Sequence, residues 1–253
     1  MPLDVARIRA LRIGDEIHYF ETVGSTMTEA ARLLAAGAPE GTVVLANQQT
    51  AGIGRLGRSW ISERDAGVYA SILLCLPLSS SNLPIASLLL GLATAEAIHR
   101  ATHVACDLRW PNDVLTNSRK VAGILTHLID SRIVAGVGIN VNQSSFPEGL
   151  RTPATSLRME SGGRLQCREE ILVALLDSID AFSSMLKTKG AQAILRAFTA
   201  ASTYAVNRRV VVEDGGLRGI TEGLDENGFL LLRTESGRIE KITSGGIRAD
   251  PSA

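Results

Sequence analysis

No charged side chain occurs between Asp65 and Glu96. So apolar a stretch must be hidden from water, in a bilayer or in a protein core. Pro77, Ser79, Ser80, Ser81, Asn82 and Pro84 cut it into two pieces. Each is shorter than the roughly 20 residues that a helical membrane span needs. Val68–Leu76 therefore reads as a buried strand and Leu83–Arg100 as a buried helix. The chain must build a core large enough to enclose both.

The neighbouring segments supply that core. Ile17, Tyr19 and Phe20 mark a weak strand, and Thr42–Ala46 a compact buried one. Between them, Met27–Leu34 has the pattern of an amphipathic helix, capped by Ser25 or Thr26 and stopped at Gly37. Val121–Leu128 and Ile133–Val141 predict two more strands, and Arg168–Ala201 predicts one long helix with apolar residues three and four apart. Beyond Tyr204 the pattern changes. Val210–Val212, Gly219–Thr221, Phe229–Leu232 and Ile239–Ile242 alternate with glycine turns, as in a small barrel. Strands and helices mix without regular alternation, so the class is α+β. The division is a larger domain over residues 1–203 and a barrel over 204–253, too small to be stable without leaning on the first.

Charge and cysteine usage narrow the function. Twenty-six basic residues balance 26 acidic ones, so no net charge draws the chain to nucleic acid or an anionic membrane. Cys75, Cys106 and Cys167 lack metal-ligand spacing and read as small buried hydrophobes in a reducing compartment. Met1-Pro2-Leu3-Asp4 has no signal-peptide pattern, which predicts a cytoplasmic location. His18, His99, His103 and His127 pair with no nucleophile motif, so a hydrolytic triad is unsupported.

Three motifs carry the chemistry. In Gln48–Trp60, glycines 52, 54 and 57 and arginines 55 and 58 follow a buried strand. Such a loop can turn its amides and guanidiniums onto an anion, or can be a flexible surface loop. It lacks the lysine-serine ending of a P-loop. Trp110-Pro111-Asn112-Asp113, preceded by Arg109, presents an amide and a carboxylate suited to hydrated Mg²⁺, or forms an Asx turn. Lys120 opens an apolar strand and could neutralise a carboxylate and a phosphate brought together. Gly136 and Gly138 strip one strand face, as a flat ligand or a β-bulge requires. Asn140 and Asn142 follow at the strand end.

In this order and spacing, from Ser25 to Asn142, the motifs resemble the bacterial biotin–protein ligases, and the likeness continues more loosely into the barrel. The resemblance implies a mixed-sheet catalytic domain of the biotin/lipoate ligase type with an SH3-like C-terminal barrel. It implies a biotin–[biotin carboxyl-carrier protein] ligase. Biotin and ATP would give biotinyl-5′-AMP, with Mg²⁺, and the biotinyl group would pass to a lysine of the carrier protein of a carboxylase. Arg55 and Lys120 would be catalytic. Ser25 and Thr26 would bind the ureido end and Gln49 the ring system, with Gly52, Gly54, Gly123, Gly136 and Gly138 lining the biotin pocket. Arg58, Trp60, Asn112 and Asn140 would face ATP alongside Arg55 and Lys120, Trp60 stacking on adenine. Asp113 would organise magnesium.

The family's first motif usually has arginines where Ile53 and Leu56 stand, which predicts weaker retention of the intermediate. Its second usually begins with lysine instead of Arg109. Too few residues precede Ser25 for the helix-turn-helix of the family's repressors, so a monofunctional enzyme without DNA binding is expected; monomer and homodimer both stay open. A lipoate–protein ligase is the nearest rival, and a non-enzymatic module built on the barrel the more distant one.

Overall fold

The computed structural model describes residues 2–12 and 14–251. Along the chain lie α1 (Val5–Leu11), β1 (Ile17–Phe20), α2 (Thr26–Ala35), β2 (Val43–Ala46), β3 (Gly67–Leu74) and α3 (Pro84–Thr102). Next come β4 (Asp107–Arg109), β5 (Asp113–Thr116), β6 (Arg119–Ile129), β7 (Arg132–Asn140), α4 (Leu157–Glu160), α5 (Arg168–Lys189) and α6 (Ala191–Ala201). The remaining strands are β8 (Val206–Val212), β9 (Arg218–Leu224), β10 (Leu230–Thr234), β11 (Ile239–Ile242) and β12 (Ile247–Ala249).

The charge-free stretch forms the centre, as expected. Every residue of β3 is buried, and the strand lies third in a seven-stranded sheet of order β1-β2-β3-β7-β6-β5-β4. The sheet is mixed: β1 and β2 are parallel and the other pairs antiparallel. Alternation along β3 sends Val68, Ala70, Ile72 and Leu74 into the main core and Leu73 into a smaller cluster under α2. α3 is apolar almost all round because it is enclosed, packing on α5 and α6, and Pro84 starts it. Among the described residues no helix is long and apolar enough to cross a membrane.

The single helix predicted over 168–201 is two. Gly190, at φ 74° and ψ 176°, breaks it between α5 and α6, a conformation open to glycine alone at little cost. Composition also concealed α1 and the short strands β5 and β12. The cysteine expectation needs correction as well: Cys75 is exposed and only Cys106 and Cys167 are partly buried. Burial pushes the Cys106 thiol up to about 11.

The C-terminal strands make an antiparallel sheet of order β11-β10-β9-β8-β12. Its inward residues Val210, Leu230, Leu232 and Ile247 belong to the main core, so the barrel shares the larger domain's interior. The Trp110 indole N–H donates to the Gly228 carbonyl at 3.0 Å, tying the two together at a motif residue.

Candidate active site

The glycine-arginine loop is a tight hairpin. Trp60 N–H donates to Gly52 O at 2.8 Å and Gly54 N–H to Arg58 O at 2.7 Å. A Cβ on Gly52 would lie 2.4 Å from Trp60 O, so only glycine lets these strands close. The turn at the tip puts Leu56 and Gly57 at φ 57° and 71°. The Gly54 and Trp60 amides are thus committed to rungs of the hairpin, and anion contact falls to its arginines. Leu56 and Ile53 stand exposed, at 60% and 39%.

Arg55 reaches inward. Its Nη1 donates to Asn112 Oδ1 at 3.2 Å and to Gly245 O of the C-terminal domain at 2.9 Å. Burial pulls this guanidinium below its ordinary range, with the nearby Asp113 carboxylate opposing. Asn112 is held to β6 by its Nδ2 donating to Ile124 O at 2.8 Å.

A slip of register puts Lys120 at the same place. Asp113 pairs with Gly123 and Val114 with Ala122, but Leu115 pairs with Lys120. Strict alternation would point Lys120 away from Gly123's face. Past the irregularity its Nζ lies 3.1 Å from where a Gly123 Cβ would be. The backbone is fixed too, Lys120 N–H donating to Pro153 O at 2.8 Å and Thr155 N–H to Lys120 O at 3.0 Å.

Asp113 stands between two cations. Lys120 Nζ is 2.5 Å from Oδ1 and Arg109 Nη2 is 2.5 Å from Oδ2, while Arg109 Nη2 also donates to Thr152 Oγ1 at 2.8 Å. Burial works to raise this carboxyl, yet Lys120 and Arg109 outweigh it and hold it below the usual range. Both oxygens being taken by cations, Asp113 does not fit the expected magnesium ligand. Among the described residues no three His, Cys, Asp or Glu side chains cluster to hold a metal.

Trp60 covers two of the pocket glycines. A Cβ on Gly138 would meet its Cε2 at 2.4 Å and one on Gly123 its Cζ3 at 2.9 Å. Lys120 Nζ lies 5.4 Å from the indole centroid, and the Trp60 Nε1 is buried with no acceptor among the described residues. Beyond Gly136 the space is filled by Met27.

The polar end is arranged in advance. Thr26 N–H and Oγ1–H both donate to Gln49 Oε1, at 2.8 and 3.0 Å, and Gln49 Nε2 donates to Ser62 Oγ at 2.7 Å. Ser25 Oγ caps α2, accepting from Met27 N–H at 3.3 Å.

Two adjoining cavities result. The inner one is lined by Thr26, Met27, Gln49, Tyr69, Gly123, Gly136 and Gly138, and the outer one by Arg58, Trp110, Asp113, Arg151, Glu213 and Gly246. Gly54, Arg55, Trp60, Asn112 and Lys120 belong to both. Of the sequence-expected residues, Ser25 and Gly52 line neither cavity; Ser25 caps α2 and Gly52 closes the hairpin. Asn140 lines the outer cavity, but its Nδ2 donates to Thr155 O at 3.1 Å and Lys120 O at 3.4 Å, bracing β6. Sequence reasoning missed the C-terminal contribution. Glu213 pairs with Arg151 at 3.3 Å and Arg58 at 3.7 Å, and Gly245, Gly246 and Ile247 close the outer wall. The Gly245-Gly246 pair was the one sign of it.

Residues 19–144 match the Biotin/lipoate A/B protein ligase family, and residues 206–247 match the Biotin protein ligase C terminal domain. The chain is 34% identical to the bifunctional ligase/repressor BirA of Bacillus spizizenii, covering 93% of this chain and 74% of that protein. It is 32% identical to the biotin–[acetyl-CoA-carboxylase] ligase of Mycobacterium tuberculosis, over 97% and 95%. Among solved structures, biotin protein ligase from Aquifex aeolicus in complex with biotin and ATP superposes with a TM-score of 0.80 at 33% identity, covering 93% of this chain and 99% of that one.

Proposed function

The chain belongs to the biotin protein ligases, and from that premise we propose how it attaches biotin to a lysine of a carboxylase's carrier protein. The biotin carboxylate attacks the α-phosphorus of ATP, forming biotinyl-5′-AMP and releasing pyrophosphate. The acceptor lysine's amine then attacks the acyl carbon, forming the amide and releasing AMP. One observation carries the assignment of residues: Lys120 and Arg55 stand where the two cavities meet. Biotin in the inner cavity and the nucleotide in the outer one would bring carboxylate and α-phosphate together beside those cations.

The barrier of the first step is the approach of an anion to a polyanion. Lys120 supplies positive charge fixed at the backbone, and Arg55 adds a half-buried guanidinium held by Asn112 and Gly245, so little reorganisation is needed. Thr26 and Gln49, already locked to each other, orient the ureido end. Trp60, expected to stack on adenine, lies instead against Gly138 and Gly123 of the inner cavity, where it would cover the acyl chain and leave its indole N–H for the ligand. Magnesium, brought with ATP, would offset the phosphate charge, while Asp113, held between Lys120 and Arg109, would position Lys120. The Arg55 bond to Gly245 O joins the hairpin to the C-terminal wall, which would shield the acyl adenylate from water.

Biotin-dependent exchange of pyrophosphate into ATP, followed by the mass shift of a carrier domain, tests this directly. Exchange supported by lipoate and not by biotin would overturn it. Arg55→Gly removes a charged contact and the hairpin's tether together. The mixed anhydride should escape at least ~10-fold faster, the worth of a charge-assisted hydrogen bond, and biotinylate lysines of a bystander such as serum albumin. An unchanged product pattern would remove the role given to Arg55.

A further inference from the structure

We propose that Met27 sets the depth of the inner cavity, its thioether seated in the space vacated by Gly136, so that this pair fixes the size of ring system the enzyme accepts. The proposal rests on the biotin reading and adds the residue that decides which ring fits. Met27 belongs to the first turn of α2, where the Ser25 cap holds its N–H, and its side chain is buried. Gly136 lies at mid-strand in β7, paired with Ser71 on β3 and Leu125 on β6. A Cβ there would stand 2.7 Å from Met27 Sδ and 3.1 Å from Cγ. The freed space therefore belongs to this one side chain, and not to the ligand directly.

On its other side Met27 packs in the cluster with Ala30, Val44, Leu73, Leu125 and Val134. It is the partition between that cluster and the cavity. The polar groups at this end, Thr26 and Gln49, are bonded to one another and set orientation only. Methionine, unbranched and polarisable, is the adaptable part of an otherwise strand-built wall.

A four-variant cycle tests the proposal: wild type, M27A, G136A and M27A/G136A, assayed by biotin-dependent pyrophosphate exchange and by thermal unfolding. M27A should raise the biotin KM about tenfold, as expected for apolar contacts to a ring, with the change falling mainly on KM and not kcat. It should also accept a biotin homologue carrying a six-membered thioether ring that the wild type rejects. G136A drives the thioether into the cavity and should raise KM more than M27A does. In the double variant the clash is gone, so both its KM and its melting temperature should be better than those of G136A. Strictly additive effects, or an M27A enzyme with wild-type KM and ring preference, would overturn the proposal. A wild type inert with biotin would instead sink the functional reading, while the melting-temperature cycle would still decide whether Met27 and Gly136 are coupled.

Discussion

Replacing Lys120 with alanine should abolish adenylate formation while the protein stays folded. The ammonium is fixed through Pro153 and Thr155 at the backbone and Asp113 at its head, at the boundary of the two cavities. Removing one preorganised charge aimed at a transition state typically costs 10²–10³-fold in rate, so the exchange rate should fall by about 10³-fold. Asp113 keeps Arg109 in the variant, so no carboxylate is left buried alone. Pyrophosphate exchange within tenfold of wild type would refute the role of Lys120. A circular dichroism spectrum and melting transition close to wild type would show that the loss is chemical and not structural.

The second large effect concerns stability. Asp113→Leu leaves two cations, one of them the buried Arg109, without their shared anion. Stranding a charge in this way costs about 3–5 kcal/mol, to be read as a shift in urea midpoint at pH 7. Asp113 has a depressed carboxyl pKa in the folded state. Its contribution is therefore complete above the unfolded value of about 4 and is lost as pH falls through the lower folded value. The gap between wild type and the variant should be constant from pH 8 to pH 5 and narrow under more acid conditions. A gap that widens on acidification would contradict the ion-pair origin. Asp113→Asn, closer in shape, separates the two roles: the magnesium concentration giving half-maximal exchange should stay at the wild-type value even as the rate falls. A several-fold rise in that concentration would restore Asp113 as a metal ligand.

Much of this molecule was legible in one dimension because it depends on local chemistry. The charge-free stretch had to become a core strand and a core helix, and β3 and α3 are those elements. The turn-punctuated region past Tyr204 had to be short antiparallel strands. Helix 168–201 failed at Gly190 because apolar spacing continues through the glycine, while φ 74° is a backbone choice that the spacing does not record. β5 was missed because Asp113 looked like a turn residue, and only its partners on β6 make it a strand.

The site divides in the same way. Motif order, through the family resemblance it carries, pointed to Arg55, Lys120, Thr26, Gln49 and the pocket glycines, since a residue type at a set spacing is a property of the chain. Which partner each side chain takes is not. Asp113 became the clamp of Lys120 because a register slip brought them to one face, Asn140 became a brace, and Glu213 and Gly245 joined the outer wall from across the core. The sequence determined the elements and the chemical groups on offer. The tertiary structure decided which charges neutralise each other and which reach the cavity, because contacts between residues far apart in the chain exist only once the sheet has closed.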